Sequence, residues 1–292
     1  MQVRRVTTIE EAVSVLAELG DQACVLAGGT DVMVQLQRGE IRPETLIPIE
    51  PLVDLTAVET NGAVRMGALV THYQAASGAL GSGFDSIRES AATVGGWQTQ
   101  AVGTIGGNVC NASPAADTLP ALLVHAAELI LASSSGERRL PLSKFLQGRR
   151  QTARRPDELL THIEVENPPP QSGDTYLKVG RRGAMEVAIA GLAMRLVFNT
   201  QGLIEDARVA LASLAAVPFR AAAAESILTG APPNMAAAAE AADALLGEIS
   251  PIDDLRSSAR YRRLLIPGLT ARAIAHCATR AGVAAEIQED LA

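Results

Sequence analysis

The sequence predicts an α+β protein in two parts. In the first, short strand and helix patterns alternate; in the second, apolar runs of strand character come first and alanine-rich helical patterns afterwards. Between them, Asn167-Pro168-Pro169-Pro170-Gln171-Ser172-Gly173 is the strongest punctuation in the chain, since proline cannot donate to a ladder and glycine can reverse direction. A boundary there gives domains of 1–172 and 173–292. With 292 residues, 48% of them hydrophobic, the chain can bury a substantial core without disulfides.

Thr8 and Glu11 have capping-box spacing, and Ile9, Ala12, Val13, Leu16 and Leu19 follow helical periodicity up to Gly20, a natural stop. Ala23 to Leu26 reads as a strand that ends in Ala27-Gly28-Gly29-Thr30-Asp31, with one or two helical turns over Val32 to Arg38. Further strands are expected over Thr45 to Ile49 and Ala63 to Gly67, set apart by Pro48, Pro51 and Asn61-Gly62, and a short helix over Thr71 to Ser77. From Gly95 to Pro120 glycine, asparagine, serine and threonine predominate around the apolar anchors Val102, Ile105, Val109 and Leu119, which reads as a long ordered loop. Leu129 to Leu140 forms a hairpin about Ser133 to Gly136. Beyond the boundary, Thr175 to Val179, Val187 to Phe198 and Ala207 to Leu214 read as antiparallel strands. Helices follow over Arg220 to Leu228, Ala236 to Leu246 and about Leu269 to Arg280.

Charge and composition exclude several functions. With 25 Lys+Arg against 32 Asp+Glu the net charge is −7, which disfavours nucleic acid as a partner. Cys24, Cys110 and Cys277 show no spacing for a zinc site, an iron–sulfur cluster or a disulfide framework, so no metal ligands are assigned. Aromatic residues amount to 3%, so a planar ligand is expected to rest on backbone and aliphatic side chains. No secretory signal is legible, and the most apolar runs fall short of the ~18 residues of a membrane-spanning helix, so a cytoplasmic protein without a membrane span is expected.

Two glycine-rich segments point to a ligand. Gly28-Gly29-Thr30-Asp31 lets the backbone turn tightly and brings amides to a phosphate, with Asp31 expected as the N-cap of the following turn. Gly103-Thr104-Ile105-Gly106-Gly107-Asn108, followed by Asn111-Ala112-Ser113-Pro114-Ala115-Ala116-Asp117, concentrates hydroxyls and amides. It lies in a stretch, 95–117, free of lysine and arginine, so hydrogen bonding rather than charge neutralisation is the expected recognition mode. Neither segment is a P-loop or a Rossmann fingerprint.

Together these segments resemble the FAD-binding medium subunit of molybdenum hydroxylases, the xanthine dehydrogenase and carbon monoxide dehydrogenase flavoprotein family. Met66-Gly67-Ala68-Leu69-Val70-Thr71-His72, Tyr176-Leu177-Lys178-Val179-Gly180-Arg181-Arg182 and Tyr261-Arg262-Arg263 extend the resemblance along the whole chain. It implies a two-lobed FAD-binding domain of the vanillyl-alcohol-oxidase type, with lobes of about 1–55 and 56–172, and a small C-terminal domain. By the same resemblance Ala27, Gly28, Gly29, Thr30, Asp31, Thr104, Ile105, Gly106, Gly107 and Asn108 contact the FAD pyrophosphate and ribitol. Thr71 borders the nucleotide half, Ser113 belongs to the second segment, Asp117 bonds the sugar-like portion, and Lys178 lies near the isoalloxazine. A molybdopterin-containing large subunit and a [2Fe–2S] small subunit complete a heterotrimer or its dimer, and no residue of this chain is assigned a catalytic role. One departure is Gln98-Thr99-Gln100-Ala101, where the family commonly has Gln-x-Arg-Asn.

Outside the resemblance, His72 reads as a solvent-facing loop residue, Cys110 as a buried inert thiol, Trp97 as packing between lobes, and Arg262 as part of a solvated or partner-facing basic run. Two alternatives stand beside the electron-transfer subunit. A stand-alone FAD oxidoreductase would turn over an organic substrate by itself, and a flavin-free scaffold would bind no FAD.

Overall fold

The computed structural model describes residues 1–60 and 62–287. Asn61, expected in a turn, and residues 288–292, assigned to the second domain, lie outside the described residues.

Thr8 caps the Ile9–Leu19 helix by accepting from Glu11 N, while the Glu11 carboxylate reaches back to Thr7 N at 2.7 Å, one residue before the partner a capping box would use. The helix buries Ala12, Val13, Val15 and Leu16 in a small core shared with a three-stranded parallel sheet, ordered Gln2–Val3, Thr45–Pro48, Ala23–Leu26. Ala132 and Leu159 from the next sheet, with Leu69 just past the end of its Val64–Gly67 strand, close that core.

The second sheet is antiparallel and five-stranded, in the order Val58–Glu59, Val64–Gly67, Leu159–Val165, Glu128–Ser133, Gly136–Pro141. The last two strands are the expected hairpin. Gly95 to Pro120 is not a long loop. It holds the short helices Trp97–Val102 and Ile105–Asn111 and the start of a third, Thr118–Val124. Thr104 caps the second, and Ile105 and Val109 are fully buried; tertiary burial thus overrides the poor helix propensity of Gly106 and Gly107. Val102, expected as an apolar anchor, is half exposed.

Beyond the proline run, Ser172–Val179, Ala190–Phe198, Ile204–Ala212 and Phe219–Arg220 form a four-stranded antiparallel sheet in sequence order. The Ala190–Phe198 strand is buried along its whole length, so it reads as an unbroken apolar run rather than an alternation. One face packs on the helices Ala222–Leu228, Met235–Glu248 and Ile266–Arg280. From the other face Tyr176, Ala193 and Ala210 join the apolar cluster of the preceding sheet and its covering helices, Asp85–Ala92 and Thr118–Val124. A buried polar junction lies beside that contact. Asp174 accepts from Asp85 N at 3.2 Å and Ser86 N at 2.8 Å and lies 2.9 Å from His125 Nε2, whose ring also meets Ser86 Oγ. Arg262 is not part of a solvated face. It is 1% exposed and donates to Ile189 O and Ser213 O, with Asp254 2.9 Å away, so it ties the segment before the last helix to the sheet.

Candidate functional site

The Ala23–Leu26 strand ends in the turn Ala27–Asp31, which forms one wall of a cavity of about 440 Å³, within the usual range of ligand sites. Gly29 sits at φ +70°, a left-handed conformation that glycine adopts without strain. Gly28 meets the second segment directly: a Cβ at this position would stand 1.7 Å from Val102 O, so the two glycine segments touch backbone to backbone. Among the described residues no backbone carbonyl takes up the amides of Gly28, Gly29 or Thr30. Three donors therefore remain where an anion would need them.

The second segment uses its amides differently from the expectation of exposed backbone. Ile105 N donates to Val70 O and Gly106 N to Ala68 O, which pins the Ile105–Asn111 helix onto the residues that follow the Val64–Gly67 strand, while Gly107 N is capped by Thr104 Oγ1. An added Cβ on Gly106 would come within 2.5 Å of Ala68 O. What this segment presents to the cavity is the Thr104 side chain, the Gly106-Gly107 backbone and the Asn108 amide, whose Oδ1 accepts from Thr118 Oγ1 at 2.7 Å.

Positive charge enters from elsewhere. Arg150 and Arg154, at and after the hairpin of Leu146–Gly148 and Gln151–Thr152, line the same cavity. Arg150 pairs with Glu40 at 2.8 Å, and Arg154 is steadied by the carbonyls of Arg155 and Glu158. The 95–117 stretch supplies no cation, as its sequence requires; the two that line the cavity come from about forty residues downstream of the second glycine segment. Their signal in the sequence is the pair of doublets Arg149-Arg150 and Arg154-Arg155.

Asp31 occupies the N-cap position but its side chain makes no capping bond, because its backbone is helical rather than extended. Burial pushes its carboxyl up, against the pull of Arg150, which lessens the repulsion of a phosphate placed beside it. His72, expected to face solvent, is 3% exposed. It opens the His72–Ala76 helix, donates its backbone N–H to Gly103 O and lines the cavity. Its Nδ1 is buried without a partner, and desolvation lowers its pKa to about 4, so the ring is neutral at pH 7. Cys110 and Cys24 also line the cavity; Cys110 as a residue is open to it, but its thiol is desolvated, and burial pushes both thiols up. The apolar lining is aliphatic, from Val25, Ile41, Ile49, Val94, Leu159 and Leu160, with no Phe, Tyr or Trp among the described residues, and Gln35, Thr99, Asn111 and Glu158 add polar groups to it.

Nine of the fourteen residues singled out from the sequence line this cavity: Ala27, Gly28, Gly29, Thr30, Asp31, Thr104, Gly106, Gly107 and Asn108. Five do not. Thr71 caps the helix behind His72 in a reciprocal box with Gln74; Ile105 is wholly buried; Ser113 Oγ accepts from Ala115 N. Asp117 and Lys178 form a buried pair at 2.8 Å, completed by Tyr176 OH on Asp117 at 2.6 Å and Thr93 O on Lys178. Missed from the sequence were Arg150, Arg154 and the inward placement of His72.

A cavity with an unpaired imidazole nitrogen, three untaken amides, two arginines and a glycine cradle fits a ligand that carries a pyrophosphate and an apolar planar portion. Comparison with known proteins agrees. Residues 1–168 match the family model described as "FAD binding domain in molybdopterin dehydrogenase", and residues 175–277 that of the CO dehydrogenase flavoprotein C-terminal domain. The chain is 28% identical to the xanthine dehydrogenase FAD-binding subunit of Escherichia coli O157:H7, over 95% of this chain and 96% of that one. It is 32% identical to the glyceraldehyde dehydrogenase medium chain of Sulfolobus acidocaldarius, over 92% and 95%. Among solved structures, the reconstituted CO dehydrogenase from Oligotropha carboxidovorans superimposes with a TM-score of 0.92 at 28% identity, covering 96% of this chain and 98% of that one.

Proposed function

Because the chain belongs to the family of FAD-binding subunits of molybdenum hydroxylases, we propose that the cavity between its two glycine segments is where it holds FAD. The untaken amides of Gly28 to Thr30, with Arg150 and Arg154, serve the pyrophosphate; the Thr104 and Asn108 side chains serve the neighbouring ribitol. Thr71, Ile105 and Ser113 shape the two segments from behind. The Asp117–Lys178 pair, one member from each side of the boundary at 172, holds the parts 1–172 and 173–292 in register around the cofactor. The single observation that carries this reading is the backbone contact of Gly28 with Val102, which closes one cavity out of two loops seventy-odd residues apart in sequence.

When bound, FAD supplies two-electron storage between a one-electron donor and an external acceptor. This chain's residues orient the cofactor, shield it with aliphatic walls and balance its phosphate charge. His72, neutral and buried, keeps a polar nitrogen available without adding charge. Electrons reach the site from [2Fe–2S] clusters of a small subunit, served by a molybdopterin-containing large subunit in a cytoplasmic heterotrimer or its dimer. The names of the related medium and FAD-binding chains support this division of labour. No helix of the described residues is long and apolar enough to cross a membrane.

Titrating the purified chain with FAD while following flavin fluorescence tests the cofactor site. Saturable quenching at one FAD per chain is expected, weakened in an Arg150→Ala, Arg154→Ala double variant and more sensitive to salt in the wild type than in that variant. Absence of binding by the wild-type chain refutes the assignment.

A further inference from the structure

A second cavity, of about 570 Å³, shares no lining residue with the first. The proline run contributes Pro169, Pro170 and Gln171 to it. The Ala190–Phe198 and Ile204–Ala212 strands contribute Arg195, Val197, Asp206 and Arg208, which by strand alternation lie on the same sheet face as Ala193 and Ala210.

Arg195 is the anomaly of this face. It is the charged residue of an otherwise apolar strand, and its direct neighbour across the ladder is a second cation, Arg208. Like charges set opposite one another in a sheet repel. The side chain is 2% exposed, yet among the described residues nothing accepts from its Nε or Nη1, and Asp206 lies 3.6 Å from its Nη2, beyond hydrogen-bond reach. Asp206 is in any case shared, since its carboxylate stands 3.3 Å from Arg208 Nε. The other carboxylate near Arg208, Glu166, is 3.8 Å away on a side chain that is 68% exposed. Burial and the Arg208 charge both work against the Arg195 cation, but a guanidinium does not give up its proton in a protein. A buried cation with unused donors is costly, and a hydrophobic side chain of similar volume would serve the core better. What repays it is an anion that enters the cavity.

We propose that this cavity binds a small organic monocarboxylate, its carboxylate held by Arg195 and Arg208 and its apolar part laid against Pro169, Pro170 and Val197. A carboxylate oxygen supplies the charge-assisted acceptor that Asp206 is too distant to give. The rest of the lining selects the charge of the ligand. Glu166, Glu205 and Asp206 stand around the two arginines, so a phosphate dianion meets more repulsion than a single carboxylate does, and a cation leaves Arg195 as it was.

Calorimetric titration of the full chain with acetate, propionate, benzoate and inorganic phosphate, at constant ionic strength, tests this. Saturable one-to-one binding is expected for the carboxylates, tighter for propionate and benzoate than for acetate, and weaker for phosphate than for any of them. Arg195→Met weakens propionate binding by roughly tenfold or more, the scale of a hydrogen bond to a charged group. It leaves FAD titration unchanged, because Arg195 does not line the first cavity, and it melts no lower than the wild type. Asp206→Asn, at a half-exposed position, removes the competing carboxylate and tightens propionate binding by roughly 2- to 5-fold. An arginine that only supports the fold gives a lower melting temperature in Arg195→Met with propionate binding unaltered, and that pattern overturns the proposal. Absence of saturable carboxylate binding by the wild-type chain overturns it as well, as does weaker binding in Asp206→Asn. Phosphate bound as tightly as propionate overturns the assigned ligand class.

Discussion

Gly28→Ala isolates the contact on which the site depends. The new Cβ would stand 1.7 Å from Val102 O and 3.1 Å from Gly103 N, and real contacts begin at about 3.0 Å, so the two segments must part by at least about 1.3 Å. Val102 is half exposed and does not resist, but Gly103 N is bonded to Thr99 O at 2.7 Å and Gly103 O receives His72 N at 3.0 Å. The displacement therefore reaches the imidazole as well as the first glycine turn. Overpacking of this kind costs about 1–3 kcal/mol. If it is relieved by widening the cavity, FAD affinity falls by roughly 5- to 150-fold, at about 1.4 kcal/mol per decade. Equilibrium FAD titration measures the loss. Gly136→Ala serves as a control for backbone strain alone, since that hairpin glycine has positive φ but nothing near its missing side chain. Affinity in Gly28→Ala within twofold of wild type refutes the idea that the two segments form one clamp.

Two further outcomes are expected. His72 titrates near 4 in the folded chain against about 6.5 unfolded, so the unfolded state binds more protons between those values; its contribution is complete above pH 6.5 and lost as pH falls toward 4, by about 3 kcal/mol. In urea unfolding across that range, His72→Gln flattens the rise of stability with pH by up to one proton, and an unchanged slope contradicts the neutral buried ring. Asp174→Ala leaves His125, Ser86 N and Asp85 N without their acceptor and costs about 3–5 kcal/mol, measurable by the same method, whereas a loss below about 1 kcal/mol shows that the junction is not a stabilising network.

How far the sequence could be read depended on whether the deciding contact was local. The opening helix, the hairpin over Leu129 to Leu140 and the strands-then-helices order of the second half follow from periodicity and turn residues, all short-range signals. The glycine segments were legible because a backbone that must approach another backbone can tolerate only glycine, and the chain states that at Gly28 and Gly106. The helices between Gly95 and Pro120 were not, because their local propensity is poor and they exist through the burial of Ile105, Val109 and Leu119 against distant partners. Arg150, Arg154 and His72 were missed for a related reason. Nothing within a few residues of His72 announces a buried ring, and the arginines meet the cavity only once a later hairpin has folded back over it.

The shared apolar cluster on the second face of the C-terminal sheet has a consequence for folding cooperativity. Tyr176, Ala193 and Ala210 lie in the same core as Ile87, Leu119 and Leu122, so the proline run marks a change of topology without marking a seam along which the protein comes apart. A chain severed at that run would leave both fragments with a bare oily face, and calorimetry of the intact chain should register one melting event for the two parts together. The fragment that carries both glycine segments would lose Tyr176, Ala193 and Ala210 from its core and Lys178 from Asp117, so its flavin uptake is expected to be weaker than that of the whole polypeptide.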